Sequence, residues 1–286
     1  MTIDRLCILG VGLIGGSLAL AARAAGACRE VVGCGRDPAH LERAVTRGVI
    51  DRYELDPAAA VAGADVVVVA VPVGALEGVL AAIVPALGPE TVVTDVGSTK
   101  GSVVEAARAA FGEVPARFVP GHPIAGTERS GVEAAFAELF RDHRVILTPL
   151  PETDREAVAT VRGLWQAAGA HVSEMEVAHH DQVLAETSHL PHVLAFALVD
   201  SLAKTPEQEE VFQYAAGGFR DFTRIASSDP VMWRDICISN REALLAALQR
   251  YTDDLAQLVD AIDRGDGERL LEVFQKAKSA RDRFFG

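Results

Sequence analysis

The feature that most constrains this chain is a glycine-rich turn near its N-terminus, between a predicted strand and a predicted helix. The apolar stretch Arg5–Leu9 runs into GVGLIGGS, and a stretch rich in Ala and Leu follows. In a GxGxxG turn the first glycine makes the tight turn, the second admits a pyrophosphate to the backbone, and the third lets the helix pack on the strand. The helix N-terminus then offers N–H groups to the phosphates. We therefore predict a dinucleotide site, with a ligand-free turn as the alternative, at Gly10, Gly12, Leu13, Ile14 and Gly15.

The first half of the chain alternates short β-branched runs with helical stretches. Most runs, such as Val66–Val71, are apolar throughout, which is typical of a parallel sheet covered on both faces. This βαβα alternation predicts an α/β fold, a doubly wound sheet of the Rossmann type. The predicted strands are 5–9, 31–34, 66–71, 91–95, 117–119, 144–148 and 171–175, and the predicted helices are 13–26, 38–47, 73–84, 101–110 and 153–169.

The pattern changes after about residue 176, where strand signals stop and helical periodicity takes over. Helices are predicted at 177–203, 207–218, 229–264 and 266–284. Within 243–262 apolar residues recur at steps of three and four and form one stripe: Leu244, Leu248, Tyr251, Leu255, Leu258 and Ile262. We therefore predict two domains, a dinucleotide-binding domain at 1–176 and an all-α domain at 177–286.

The composition argues against several classes of function. A formal net charge of −13 is unfavourable for binding nucleic acid. The four cysteines show no CxxC spacing, which indicates buried thiols in a reducing compartment. No apolar run reaches the ~20 residues of a membrane span, and the first residues lack the pattern of a secretory leader. We therefore expect a cytoplasmic protein that binds neither nucleic acid nor membranes.

The end of the second strand bears on which dinucleotide binds. An NAD site usually carries an acidic residue about twenty positions after the glycines, where it bonds the ribose hydroxyl. Gly35 and Arg36 stand at that point here, and a guanidinium pairs well with the 2′-phosphate of NADP. Asp37 follows directly and offers a carboxylate, so NAD stays open. We predict NADP or NAD as the cofactor, with NADP favoured.

Further segments follow predicted strands and therefore lie at the carboxyl edge of the sheet, where ligands bind in such folds. Val71 and Pro72 end one strand and are predicted to pass beside the nicotinamide. Ser98, in DVGSTKG, offers a hydroxyl at the same edge. The structural alternative is that Ser98 or Thr99 caps the next helix.

His122 lies in GHPIAGTE, which we predict to be a constrained loop because a glycine and a proline flank the histidine. The segment follows the strand RFVP, so the imidazole belongs to the same sheet edge, and the small neighbours leave room for a ligand. A neutral imidazole there can accept a hydroxyl proton while hydride leaves the same carbon. A purely structural histidine is the alternative.

Two clusters in the helical half carry polar side chains. His189 and His192, in SHLPH, are three residues apart and share a helical face. Arg224 lies among apolar neighbours in DFTRIA, where a guanidinium needs an anionic partner such as a substrate carboxylate. No HExxH-type pattern accompanies the histidines, so we predict no metal site. Structural histidines and a surface arginine are the alternatives.

Taken together, these segments resemble the prephenate/arogenate dehydrogenase family of tyrosine biosynthesis. The resemblance covers essentially the whole chain, and the motifs occur in the family's order and spacing. They are GLIGGS at 12–17, DVGSTK at 95–100, GHPIAGTE at 121–128, SHLPH at 188–192 and DFTRIASSDPVMWRDI at 221–236.

The resemblance implies oxidative decarboxylation of a cyclohexadienyl substrate with hydride transfer to NAD or NADP. It implies that His122 assists deprotonation of the ring hydroxyl, that Ser98 supports that hydroxyl or the nicotinamide, and that Arg224 binds a substrate carboxylate. It also implies a homodimer through the helical domain. His189 and His192 would shape the pocket, and its entrance would be lined by Thr127, Glu128, Arg220, Asp221 and Trp233.

The substrate's side chain is less well determined, because prephenate ends in a keto acid and arogenate in an amino acid. No acidic residue is assigned to an amine here, which favours prephenate or relaxed specificity. A β-hydroxyacid dehydrogenase is one alternative, but its usual lysine is missing from 177–203. A non-enzymatic dinucleotide sensor is another, although it would need neither His122, Ser98 nor Arg224.

Overall fold

The N-terminal part of the protein is a parallel six-stranded sheet. From edge to edge its strands are β3 (Arg52–Glu54), β2 (Cys28–Cys34), β1 (Ile3–Leu9), β4 (Val66–Val69), β5 (Val92–Asp95) and β6 (Phe118–Val119). This order is that of doubly wound dinucleotide-binding folds, with the direction of winding reversed between β1 and β4. The computed structural model describes residues 2–285, and it confirms the predicted Rossmann-type sheet.

Helices cover both faces of this sheet. They are α1 (Leu13–Ala24), α2 (Pro38–Thr46), α3 (Pro57–Val61), α4 (Leu76–Ile83), α5 (Lys100–Phe111) and α6 (Arg155–Ala167), with short 3-10 turns at Val73–Ala75, Val84–Ala86 and Val132–Ala134. Leu6 and Ile8 of β1 are buried on the face covered by α1 and α6. Cys7 and Leu9 are buried on the opposite face, against α4 and α5. The apolar character of the strands therefore has the predicted cause, burial on both sides.

A second, three-stranded sheet contains β7 (Gly121–Ile124), β8 (Arg144–Leu147) and β9 (His171–Glu174). His122 pairs with Ile146 in an antiparallel register, so the prediction of a loop at GHPIAGTE was wrong for its first four residues. Proline suggested a loop because it cannot donate to a ladder. However, β7 is an edge strand, and an edge tolerates a proline.

The second half of the chain is helical, as predicted, but all its helices except the last are shorter than predicted. They are α7 (Val177–Leu184), α8 (Leu190–Ala203), α9 (Gln208–Gln213), α10 (Gly217–Thr223), α11 (Pro230–Ser239), α12 (Arg241–Asp263) and α13 (Gly267–Phe285). A π turn at Ala185–His189 joins α7 to α8, and a 3-10 turn at Arg224–Ser227 follows α10. The predicted helix 229–264 is two helices, because Asn240 leaves helical geometry with φ −110° and ψ 36°.

The chain forms two compact units, Met1–Arg241 and Glu242–Gly286. Within the second unit, much of the predicted apolar stripe is exposed: Leu244 is buried, but Tyr251, Leu255 and Ile262 are exposed. The domain boundary near residue 176 stays a prediction. Between residues 2 and 285, no helix combines the length and the apolar character that crossing a bilayer requires.

Two glycines of the first turn differ in what a Cβ atom would meet. At Gly10, φ is +99° and a Cβ would lie 2.3 Å from the Ala70 carbonyl oxygen, whereas a Cβ on Gly12 would meet no protein atom within 4 Å. We expect Gly10→Ala to lower the free energy of unfolding by about 1–3 kcal/mol. Gly12→Ala should change it by less than about 0.5 kcal/mol. Urea unfolding of both variants measures the difference, and equal losses would contradict the geometry.

Candidate active site

The glycine turn has the shape that a dinucleotide needs. A Cβ on Gly15 would lie 2.3 Å from the carbonyl oxygen of Gly10 and 2.7 Å from Ile8, so α1 packs directly on β1. Val71 lies against Gly10 from the end of β4. Only Gly12 opens to free space, at the N-terminus of α1. A residue larger than glycine is thus excluded by the protein at Gly10 and Gly15 but not at Gly12, where the open space suits the approach of a phosphate group.

The remaining predicted cofactor residues surround this turn. Leu13 and Ile14 form the first turn of α1 and are partly buried, and Pro72 is exposed directly after Val71. Arg36 is exposed beyond the end of β2. Asp37 caps α2, since its carboxylate accepts the N–H of Ala39 at 3.0 Å. That carboxylate already has a structural partner, which leaves Arg36 as the uncommitted charge next to Gly35.

A buried ion pair fixes the start of β7. The Nζ atom of Lys100 lies 2.6 Å from Asp95 Oδ2, and both side chains are fully buried. Lys100 Nζ also donates to the Gly121 carbonyl oxygen at 2.6 Å, and Asp95 Oδ1 accepts the Gly121 N–H at 3.1 Å. Burial lowers the pKa of Lys100, while Asp95 opposes the change. The pair therefore holds both polar backbone groups of Gly121, the residue before His122.

The N-terminus of α5 is capped from the helical half of the chain. Asp181 in α7 accepts the N–H of Lys100 at 2.7 Å and that of Gly101 at 2.8 Å. Thr99 occupies the N-cap position, as the structural alternative expected, but its hydroxyl bonds Ser102 at 2.7 Å and caps no backbone N–H. Ser98 lies partly buried in the bend before Thr99. Its side chain does not cap the helix, so it is available for the predicted catalytic role.

Asp181 also begins a chain of hydrogen bonds that ends at His122. Its Oδ1 atom lies 2.8 Å from His180 Nδ1, and His180 Nε2 lies 2.9 Å from His122 Nδ1. A carboxylate only accepts, so a neutral His180 carries its proton on Nδ1 and presents a lone pair at Nε2. That lone pair accepts the Nδ1–H of His122. The arrangement leaves Nε2 of His122 without a proton, the form that can act as a base.

Charges and burial reinforce this protonation pattern. Burial in the first place, and then His180 and the Lys100 cation, hold the pKa of His122 well below its ordinary value. Burial raises the pKa of Asp181, but hydrogen bonds from His180, Lys100 and Gly101 outweigh it and lower the pKa overall. At neutral pH the cluster therefore contains a carboxylate at one end and an uncharged imidazole at the other.

A second cluster forms where the π turn meets α11. The His192 ring stacks on Trp233 with 3.6 Å between centroids, and the His189 ring meets the same indole edge-on at 6.1 Å. Asn240 donates to His189 Nδ1 at 3.1 Å. Trp233 was expected at the pocket entrance, but its side chain is buried. The structure thus brings together three of the predicted substrate residues as one aromatic wall.

The other predicted substrate residues are exposed. Arg224 lies 3.6 Å from Glu128, and their side chains are 64% and 48% exposed. The apolar neighbours do not bury the guanidinium, because Phe222 is itself exposed. Thr127 accepts the Arg129 N–H in the turn after β7, and Arg220 and Asp221 lie exposed on α10. Arg224 has an acidic partner, but on the surface.

Sequence reasoning missed several residues that hold this site. They are Asp95, Lys100, His180, Asp181 and Asn240. A lysine and an aspartate in otherwise small or apolar surroundings at a sheet edge signal a buried pair, and HHD in α7 could have been examined for a relay. Nothing in the neighbouring sequence indicates that Asp181 accepts the backbone N–H of Lys100, which lies 81 positions earlier.

The buried histidines should make stability depend on pH. Burial lowers the pKa of His189 from 6.5 to about 4, and that of His122 falls in the same direction. Below pH 6.5 the unfolded chain binds protons that the folded chain does not, so stability is lost as pH falls. Between pH 6.5 and 5 we expect His189 alone to contribute a loss on the order of 2 kcal/mol.

Urea unfolding across that pH range measures this loss. His189→Gln should make the free energy of unfolding less dependent on pH, whereas His143→Gln, at an exposed position, should leave the dependence as it is. A dependence unaffected by His189→Gln would contradict a neutral, buried His189.

Two family models match the chain in succession. One, for the nucleotide-binding domain of prephenate dehydrogenase, matches residues 18–174. The other, for the dimerization domain of prephenate dehydrogenase, matches residues 176–276.

Similar proteins agree over nearly the full length. Cyclohexadienyl dehydrogenase of Zymomonas mobilis is 41% identical, with 98% of this chain and 96% of that protein covered. Prephenate dehydrogenase of Bacillus subtilis is 37% identical, with coverage of 98% and 76%. The crystal structure of prephenate dehydrogenase from Aquifex aeolicus with hydroxyphenyl propionate and NAD+ superposes with a TM-score of 0.91, at 38% identity and 99% coverage of both chains. Since both family domains match in order, this protein is a dehydrogenase that belongs to the prephenate dehydrogenase family.

Proposed function

We propose that the protein catalyses the oxidative decarboxylation of prephenate to 4-hydroxyphenylpyruvate in tyrosine biosynthesis, with hydride transfer to NAD or NADP. The observation that carries the proposal is the chain from Asp181 through His180 to His122, which leaves Nε2 of His122 as a proton acceptor. This base follows β5 and β6 in sequence and is tied to the end of β5 through Gly121 and Asp95. The similar Aquifex aeolicus enzyme was crystallised with NAD+, which supports the choice of cofactor.

The chemistry needs a base that accepts a proton and later returns it. A bound nicotinamide dinucleotide supplies the acceptor for the hydride that leaves the hydroxyl-bearing carbon. His122 Nε2 takes the hydroxyl proton, so that the carbon–oxygen bond becomes a carbonyl. Loss of CO2 from the opposite ring carbon pushes its electron pair into the ring and generates a phenolate. The phenolate regains the proton from His122, so one hydride and one CO2 leave in total.

The neighbours of His122 stabilise it while it holds that proton. A protonated imidazole donates from Nδ1 to His180, and His180 in turn donates to the Asp181 carboxylate. Such a chain keeps the ring oriented and stabilises the transient positive charge. The Lys100–Asp95 pair contributes by fixing Gly121, and with it the backbone from which His122 projects. Ser98 is proposed to support the same hydroxyl or the nicotinamide.

The substrate's carboxylates are proposed to meet cationic and donor groups. Arg224 binds a carboxylate after exchanging its contact with Glu128, which is long at 3.6 Å and largely exposed. An exposed pair of this kind contributes about 0–1 kcal/mol, so a carboxylate can replace it at small cost. Thr127 and Asp221 are proposed for the same entrance. His189, His192 and Trp233 form the aromatic wall, in which His189 and Trp233 are buried and His192 is partly buried.

We also propose that NADP serves this enzyme, and is favoured over NAD. Two observations support this proposal: Arg36 is exposed next to Gly35, and the Asp37 carboxylate is engaged at the N-terminus of α2. The four cysteines are free thiols, two of them buried, which suits the reducing cytoplasm proposed as the enzyme's compartment.

A homodimer is the proposed assembly, with prephenate as the small-molecule substrate. The second compact unit exposes large apolar side chains on both of its helices: Leu245, Tyr251, Leu255, Val259, Ile262, Leu271 and Phe274. Exposed apolar patches of this kind mark interaction surfaces. The matching family model is described as a dimerization domain, which supports pairing with a second copy.

His122→Asn should lower kcat by roughly 10²–10⁴-fold at saturating substrate, because asparagine keeps a donor near the Nδ1 position but has no base at the Nε2 position. Absorbance of the reduced cofactor measures turnover, with prephenate and arogenate each tested against NAD and NADP. Gly12→Ala is the contrasting variant, with weakened dinucleotide binding. If His122→Asn turned over substrate as fast as the wild type, His122 would not be the base. If no combination of substrate and cofactor gave reduced cofactor, the proposed function would be wrong.

A further inference from the structure

We propose that Asn240 is a positioning residue that fixes the tautomer of His189, so that His189 and Trp233 present two N–H donors to the part of the substrate's side chain that carries its carboxylate. The inference rests on the proposed function and deepens it. It assigns a role to Asn240, a buried amide at the end of α11, and it makes His189 a donor instead of an acid or a base.

The orientation of the Asn240 amide follows from its partners. Its Nδ2 atom lies 2.8 Å from the Asp181 carbonyl oxygen and 3.1 Å from His189 Nδ1. A backbone carbonyl only accepts, so the amide atom that faces it must be the NH2 group. One hydrogen goes to Asp181, and the second goes to His189. Nδ1 of His189 must therefore be a lone pair.

The proton of His189 is thus placed on Nε2. Burial lowers the pKa of His189 to about 4, so the ring carries a single proton at neutral pH. Since Nδ1 accepts from Asn240, that proton is on Nε2, on the other side of the ring. Among residues 2–285, neither His189 Nε2 nor Trp233 Nε1 has an acceptor within the protein, although both atoms are buried.

Two buried donors without acceptors destabilise the free protein, and they stabilise a complex in which a ligand supplies the missing acceptors. Leaving such a group unpaired costs roughly 1–3 kcal/mol, so native structures rarely do it without a functional reason. The two rings lie 6.1 Å apart at 73° to each other. They belong to one wall with His192, which stacks on Trp233.

The local fold places these groups together. Asn240 caps the C-terminus of α11 seven residues after Trp233, which places both residues on the same side of the helix, and Ile236 between them is buried. His189 ends the π turn in which the Leu190 N–H reaches back to the carbonyl of Ala185. π turns often occur at functional sites, because the extra residue changes the direction of the side chains. Here His189 is directed at Asn240 and Trp233 together.

The chemistry of the reaction selects which substrate group these donors meet. The ring carboxylate leaves as neutral CO2, so donors that hold its charge would stabilise the ground state more than the transition state. The side-chain keto group and carboxylate do not react, so the carboxylate keeps its charge throughout. Neutral donors in a buried wall therefore suit the side chain, and they can help to orient the ring toward His122.

A pair of substitutions at His189 tests the position of the donor. His189→Gln can place an amide N–H near the Nε2 position, whereas His189→Asn reaches only the Nδ1 position. We expect His189→Asn to raise KM for prephenate roughly 10–100-fold, as for loss of a hydrogen bond to a charged group, with a smaller change in kcat. KM for the dinucleotide should stay unchanged. His189→Gln should recover most of the loss.

Asn240→Asp tests the tautomer itself. A carboxylate accepts, so it draws the proton of a neutral His189 to Nδ1 and leaves Nε2 without a donor. We expect KM for prephenate to rise with increasing pH in this variant, as His189 loses its second proton, and to stay level in the wild type. Nitrogen NMR of the His189 ring should show Nε2 protonated in the wild type and Nδ1 protonated in Asn240→Asp at high pH.

The outcomes separate this inference from the proposed function. If the wild type turns over prephenate but His189→Asn keeps its KM, the donor role is wrong. A wild-type His189 with its proton on Nδ1 would also overturn it. If the wild type does not turn over prephenate, the function itself fails, and calorimetric binding of 4-hydroxyphenylpyruvate to wild type and His189→Asn still tests the donor. Equal affinities would then reject it.

Discussion

The Asp181 carboxylate is the interaction on which the rest of the site depends. It accepts the first two N–H groups of α5 and the ring N–H of His180 at once. One side chain thus ties the carboxyl edge of the parallel sheet to the helical half of Met1–Arg241. Its neighbour in sequence carries the relay to His122, and its own carbonyl oxygen holds the Asn240 amide. The geometry of the base and that of the proposed donor wall therefore share one origin.

Buried charge makes this arrangement specific. Lys100 and Asp95 are both fully buried, 2.6 Å apart, and they also form hydrogen bonds with the backbone of Gly121 and Gly97. A buried ion pair is weak support for stability, because desolvation offsets its attraction, but removing one partner leaves an unpaired charge at high cost. Each partner thus requires the other. The result is a backbone at Gly121 that has little freedom to shift, next to the histidine that is proposed to meet a hydroxyl.

Local patterns predicted much of this protein, and distant pairings explain the rest. The glycine turn, the apolar parallel strands and the helical second half could be predicted, because each rests on neighbours in sequence. The hydrogen bond from the Lys100 backbone N–H to Asp181 spans 81 residues and could not be predicted from either segment. Pro123 suggested a loop because pattern alone does not reveal that β7 is an edge strand. The apolar residues beside Arg224 in sequence do not show how exposed it is, and in the structure Phe222 is exposed.

The central claim is that the free enzyme holds His122 with its proton on Nδ1 and a lone pair on Nε2. Nitrogen NMR of the His122 ring, assigned by comparison with His122→Gln, tests this claim most directly. Between about pH 6 and 8, where a free histidine would titrate, we predict a protonated Nδ1 and an unprotonated Nε2 with shifts that do not change. A proton on Nε2, or a doubly protonated ring at neutral pH, would contradict the account.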